Sequence, residues 1–89
     1  MTRYVVSPDA ASAVLEDGAV VLNMRTKRYY SLNETGATIW RLLEEDVHAE
    51  EIAVRLAELY EVDRTTANEA ITRLLGELQV EALVSEETA

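Results

Sequence analysis

The period of the apolar positions changes near Asn33. Before that residue, Ser12 to Glu16, Ala19 to Met24 and Arg28 to Leu32 read as three short strands, rich in the side chains that suit a pleated, half-buried surface. Asp17-Gly18 joins the first two as a tight-turn pair, since Gly tolerates positive φ and Asp can bond the local backbone. A three-residue turn, Arg25-Thr26-Lys27, would pair Met24 with Arg28, Leu22 with Tyr30 and Val20 with Leu32. That register gathers Val20, Leu22, Tyr30 and Leu32 on one face and puts Lys27 near a left-handed position.

After Asn33 the period becomes helical. Asn33 is a good N-cap, and Ile39, Trp40 and Leu43 carry a first helix to about Glu45. A second helix spans about Ala49 to Tyr60, with Ile52, Leu56, Leu59 and Tyr60 on one stripe. Asp63 caps a third, which runs to about Gln79, with Val62 and Ala67 placed as a hydrophobic staple. Its core stripe is Ala67, Ile71, Leu74 and Leu78. Leu75 widens that stripe toward Asn68 and Thr72, and Ala70 widens it on the other side. Val80 to Val84 reads as a short extended tail. Strands followed by helices predict an α+β fold: a winged helix-turn-helix with a three-stranded antiparallel sheet followed by three helices. With no repeat, low-complexity stretch or long linker, residues 1–89 read as a single domain.

Composition narrows the chemistry. Eighty-nine residues, 48% of them hydrophobic, suffice for one small core. The absence of cysteine excludes disulfides, thiolate metal sites and thiol catalysis, and a single histidine, His48, excludes a histidine-rich metal site. No apolar run reaches the roughly 18–20 residues that span a bilayer, and Met1 to Asp9 does not read as a signal peptide. No membrane association and a cytoplasmic location are therefore expected. His48 lies beside Asp46, Glu50 and Glu51, but acidic residues there suit a helix N-terminus through the macrodipole. Ser7, Ser12, Ser31 and Ser85 lack a neighbouring base, and Gly18, Gly36 and Gly76 are too isolated to cradle a phosphate. The expectation is a protein without catalysis, cofactor or metal.

The net charge of −9 is unevenly spread. Residues 1–33 carry four basic side chains (Arg3, Arg25, Lys27, Arg28) against three acidic ones; residues 34–89 carry four basic against fourteen acidic. The third helix sets Arg64 and Arg73 against Asp63, Glu69 and Glu77, so a phosphate backbone would repel it, and no nucleic-acid partner is expected. A winged-helix DNA-binding transcriptional regulator stays as the alternative reading, and a structural subunit as a third.

Two features point elsewhere. Lys27-Arg28-Tyr29-Tyr30-Ser31-Leu32 sets basic and aromatic residues on the last strand of the sheet, where an open edge could template another strand. The broad apolar face of the third helix could form a groove with that edge, suited to an extended peptide.

The runs Asp17-Gly18-Ala19-Val20-Val21-Leu22-Asn23 and Arg28-Tyr29-Tyr30-Ser31-Leu32-Asn33-Glu34-Thr35-Gly36-Ala37-Thr38-Ile39-Trp40, followed by Leu42-Leu43, resemble the PqqD-like family. The likeness continues through Glu51-Ile52-Ala53, Leu56 and Tyr60. These proteins are recognition elements for ribosomally made, modified peptides. Arg25-Thr26-Lys27 stands where PqqD itself has a Pro-Glu-Gly turn, which favours the stand-alone type of lasso-peptide pathways. The resemblance implies that a precursor's leader segment adds as a strand along Arg28 to Leu32, against a helix flank of Ala67, Asn68, Ile71, Thr72 and Leu75. Lys27 and Arg28 would meet acidic leader residues. It further implies presentation of the leader to a separate leader peptidase, and indirectly of the core peptide to an ATP-dependent cyclase.

Overall fold

The computed structural model describes residues 3–87, and its elements are set by turns and caps that the chain encodes locally. Strand β1 is Arg3–Val6, β2 Ala10–Leu15, β3 Gly18–Asn23 and β4 Arg28–Asn33. Helices α1 (Glu34–Glu44), α2 (Ala49–Tyr60) and α3 (Arg64–Val80) follow, and β5 (Val84–Glu87) closes the order. The fold is α+β. A three-stranded antiparallel sheet, order β2-β3-β4, packs on three helices, and β1 pairs with β5 in a separate two-stranded sheet. No helix among the described residues is long and apolar enough to cross a membrane.

The hairpin register differs from the expected one. Asn23 pairs with Arg28, Val21 with Tyr30 and Ala19 with Leu32, so the loop has four residues, Met24 to Lys27. The core face of β3 is therefore Ala19 and Val21, both buried, while Val20 and Leu22 point to the outer face with Tyr29 and Ser31. Asn23 is the cause. Its Oδ1 accepts the amides of Arg25 and Thr26, while its Nδ2 donates to the carbonyls of Glu81 and Ala82 beyond α3. Asn23 is 1% exposed, and leaving such buried groups unpaired would cost about 1–3 kcal/mol, which holds the register. Lys27 takes the left-handed conformation expected of it, with φ 66°.

The caps lie where the sequence places them. Asn33 Oδ1 accepts the Gly36 amide at 2.8 Å, and Asp63 Oδ1 accepts the Thr66 amide at 2.7 Å. On α2 the buried stripe is Ile52, Ala53 and Leu56; Leu59, expected on it, is 61% exposed. The core joins these residues to Ile39, Trp40, Leu42 and Leu43 of α1 and to Ala67, Ile71, Leu75 and Leu78 of α3. The tail expected over Val80 to Val84 is instead the last residue of α3, a turn at Ala82 (φ 57°), buried Leu83 and the start of β5. That strand reaches back to Tyr4-Val5-Val6, which gave no strand signal by itself.

Candidate functional site

Strand β4 is bonded on one side only, to β3. Leu15 and Gly18 flank a two-residue turn, so they form a hydrogen-bonded pair, and alternation assigns Ala19, Val21 and Asn23 to bonding with β4. The bond from the Met24 amide to the Asp9 carbonyl on the β2 side fits this alternation. Leu32 and Tyr30 thus spend their backbone groups on the ladder, while at the turn end the Arg28 amide donates to Thr26 Oγ1 at 3.3 Å. Tyr29 and Ser31 turn theirs to the open edge. The edge can accept an antiparallel strand through those two residues.

Below the edge, β4 and the start of α1 meet α3 in a groove of about 350 Å³. Its apolar lining is Leu32, Ile39, Ala70 and Leu74, and its polar lining includes Tyr30, Arg73 and Glu77. The Tyr30 hydroxyl donates to a Glu77 carboxylate oxygen, joining β4 to α3. At the turn end, Arg28 makes a two-pronged ion pair with Glu81, Nε to Oε1 at 3.0 Å and the second nitrogen to Oε2 at 3.2 Å. The groove is thus mixed: Leu74 and Ala70 are apolar contacts over a floor of buried Leu32 and Ile39, and polar side chains supply most of the surface it presents.

The hydrogen bond to Glu77, then burial, pushes the Tyr30 phenol up to about 12. Because the folded value lies above the ordinary 10, the protonated phenol stabilises the fold below about pH 10, and that contribution is lost as pH rises toward 12. Tyr30→Phe is expected to flatten the fall in stability between these limits, measured as the urea midpoint against pH.

The expected site residues divide. Lys27, Arg28, Tyr29, Tyr30, Ser31 and Leu32 lie together along the β4 edge and its turn, with Tyr29 70% exposed on the outer sheet face. The expected helix flank does not line this groove. Ala67, Ile71 and Leu75 are 1%, 3% and 4% exposed. Asn68, Ile71, Thr72 and Leu75 border a different groove, which Tyr4 and Glu86 of the small sheet also line. The flank facing β4 is Ala70, Arg73, Leu74 and Glu77; helical spacing places Leu74 on the core stripe itself and Ala70 at its margin, and gives Arg73 and Glu77 only as charges. A usable signal was the alternation of Tyr4-Val5-Val6 with Leu83-Val84, two apolar segments able to cover the Leu75 side.

Comparison with known proteins adds to this geometry. The family model described as coenzyme PQQ synthesis protein D (PqqD) matches residues 18–84. A solved structure described as TbiB1 in complex with the TbiA(beta) leader peptide is similar with a TM-score of 0.87 and 32% identity, over 96% of this chain and 99% of that one. A second, described as lasso peptide synthetase B1 complexed with the leader peptide, has a TM-score of 0.78 and 30% identity, over 92% of this chain and 96% of that one. Comparison with curated proteins gives no match.

Proposed function

The chain belongs to the PqqD family, and from that premise we propose that it binds the leader segment of a ribosomally synthesised precursor in lasso-peptide biosynthesis. The observation that carries the reading is the open β4 edge beside a groove shared with α3, in a chain whose structural relatives are solved with leader peptides. The leader adds antiparallel to β4. Tyr29 and Ser31 supply the main-chain bonds, and leader side chains enter the slot of Leu32, Ile39, Ala70 and Leu74. Lys27, Arg73 and Glu77 select among charged leader residues at the rim. Ala67, Ile71 and Leu75 act behind the groove by holding α3 in place. Strand addition needs no chemistry from the protein, so it is a non-catalytic carrier. It delivers the leader to a separate leader peptidase in the cytoplasm and the core peptide onward to a cyclase. The described residues form one domain of winged helix-turn-helix type, with the β-hairpin placed before the helices.

The test is a fluorescence-anisotropy titration of labelled leader peptides from several such pathways, with a labelled DNA duplex at two salt concentrations alongside. Saturable binding of one leader class without duplex binding supports the reading, and salt-dependent duplex binding without leader binding overturns it. Ser31→Pro removes an outward donor and is expected to weaken the leader by about five- to tenfold, the worth of one backbone bond, in a folded protein. Tyr30→Pro removes a ladder bond and is expected to lower the melting temperature instead. Wild-type affinity in folded Ser31→Pro would place the added strand elsewhere.

A further inference from the structure

The sheet has a second open edge. Strand β2 pairs only with β3, and the alternation that frees Tyr29 and Ser31 on β4 frees the backbone groups of Ser12 and Val14 on β2. Edge strands are ordinarily blunted by charge, proline or a bulge. Ala10–Leu15 contains no charged residue and no proline, and its Val14 is 88% exposed.

Below this edge, β2 and α1 enclose a groove of about 210 Å³, bordered by Val14, Leu15, Ala19, Ala37 and Trp40. Trp40 is 3% exposed, and its indole Nε1–H has no acceptor among the described residues. The donor is itself shielded from solvent, so Trp40 forms the floor of the groove, and its indole N–H reports on whatever packs above it. The charged lining is Glu16, Glu34, Glu44 and Arg41, and Arg41 lies 4.0 Å from the Glu45 carboxylate. Carboxylates therefore dominate the rim.

We propose that the β2 edge and the groove over Trp40 form a second strand-addition site, which takes an extended segment of another protein with an apolar residue flanked by Lys or Arg. Charge decides among occupants. A second copy of this chain carries a net charge of −9 and would offer an uncharged β2, so it gives the rim carboxylates nothing to pair with. The two edges lie on opposite sides of β3, so this segment and a strand on β4 can be held together in one five-stranded sheet.

The test uses the full-length ¹⁵N-labelled protein and a blocked heptapeptide of alternating Lys and Val as probe. Trp40 is the single tryptophan, so its indole N–H gives one assignable NMR signal. Saturable shifts of that signal and of the Ser12 and Val14 amides at peptide concentrations up to about 1 mM are expected, unchanged when a leader occupies β4. Val14→Lys, at an exposed position that folding does not need, and Ser12→Pro are each expected to weaken the probe about tenfold, the effect of losing one edge contact. A peptide with Glu in place of Lys is expected not to bind. The proposal is overturned if the indole signal does not move, if the shifts centre on Tyr29 and Ser31, or if the Glu peptide binds equally well. Concentration-dependent shifts of the β2 amides without peptide would also overturn it, by assigning the edge to a second copy. Loss of leader binding alone leaves these outcomes unaffected, so failure of the two readings can be told apart.

Discussion

Leu74→Asp is expected to weaken leader binding strongly in a protein that still folds, while the same change at the neighbouring Leu75 leaves little folded protein to assay. Leu75 is 4% exposed among Ile71, Leu78 and the rest of the core, so an aspartate there is an unpaired charge or a buried neutral acid. The loss, about 4–5 kcal/mol, is comparable to the whole stability of a domain this size, roughly 5–10 kcal/mol. Leu74 is half-buried and lines the groove under β4. Its carboxylate would face water in the free protein. Against a bound leader it would replace an apolar contact and stand near Glu77, with an expected loss of about 2–3 kcal/mol, or roughly 30- to 150-fold in affinity. Circular dichroism melts and leader anisotropy separate the two variants. Equal unfolding would make Leu74 ordinary core, and unchanged affinity in folded Leu74→Asp would remove it from the slot.

That pair reverses the assignment drawn from helical spacing, for a physical reason. Both Leu74 and Leu75 lie within a quarter turn or so of Ile71 on a helix, so either completes the stripe. Which one is buried depends on what lies beside the helix. The β1–β5 sheet covers the Leu75 side, and the open β4 edge leaves the Leu74 side free. Its two strands have four residues each and are joined through the whole remaining chain, so no local turn announces the pairing. The caps at Asn33 and Asp63 and the open edge over Arg28 to Leu32 were legible because each rests on a few adjacent residues.

The hairpin register shows the same division. Ala19-Val20-Val21-Leu22 is apolar at every position, so alternation in β3 cannot say which set faces the helices. Asn23 decides it by binding its own turn and the carbonyls after α3, residues nearly 60 positions away. The open edge of β4 was legible despite the wrong register because an edge is a property of strand order. Which α3 flank borders that edge was not legible, because it depends on what covers the other flank.

Gly18→Ala is expected to be the most destabilising methyl addition in the hairpin, although the conformation of Gly18 does not require glycine. A tight turn suggests positive φ, yet no glycine among the described residues has one. What excludes a side chain is β4. A Cβ at position 18 would lie 1.9 Å from the Leu32 carbonyl oxygen and 3.0 Å from its carbon. Backbone atoms cannot rotate aside as a flexible side chain does, so β3 and β4 must separate where Leu32 enters the core. The expected loss is about 3 kcal/mol or more, the upper end for overpacking, which lowers the urea midpoint by roughly 1–2 M. Gly76→Ala is the control. It lies inside α3 with nothing within 4 Å of the added Cβ, so the better helix former is expected to raise stability by about 1 kcal/mol. Equal and small effects would mean that glycine matters here only through helix and strand propensity. Opposite signs would place the constraint on Gly18 in the contact between β3 and β4, the contact that holds the open edge of β4 at its distance from α3.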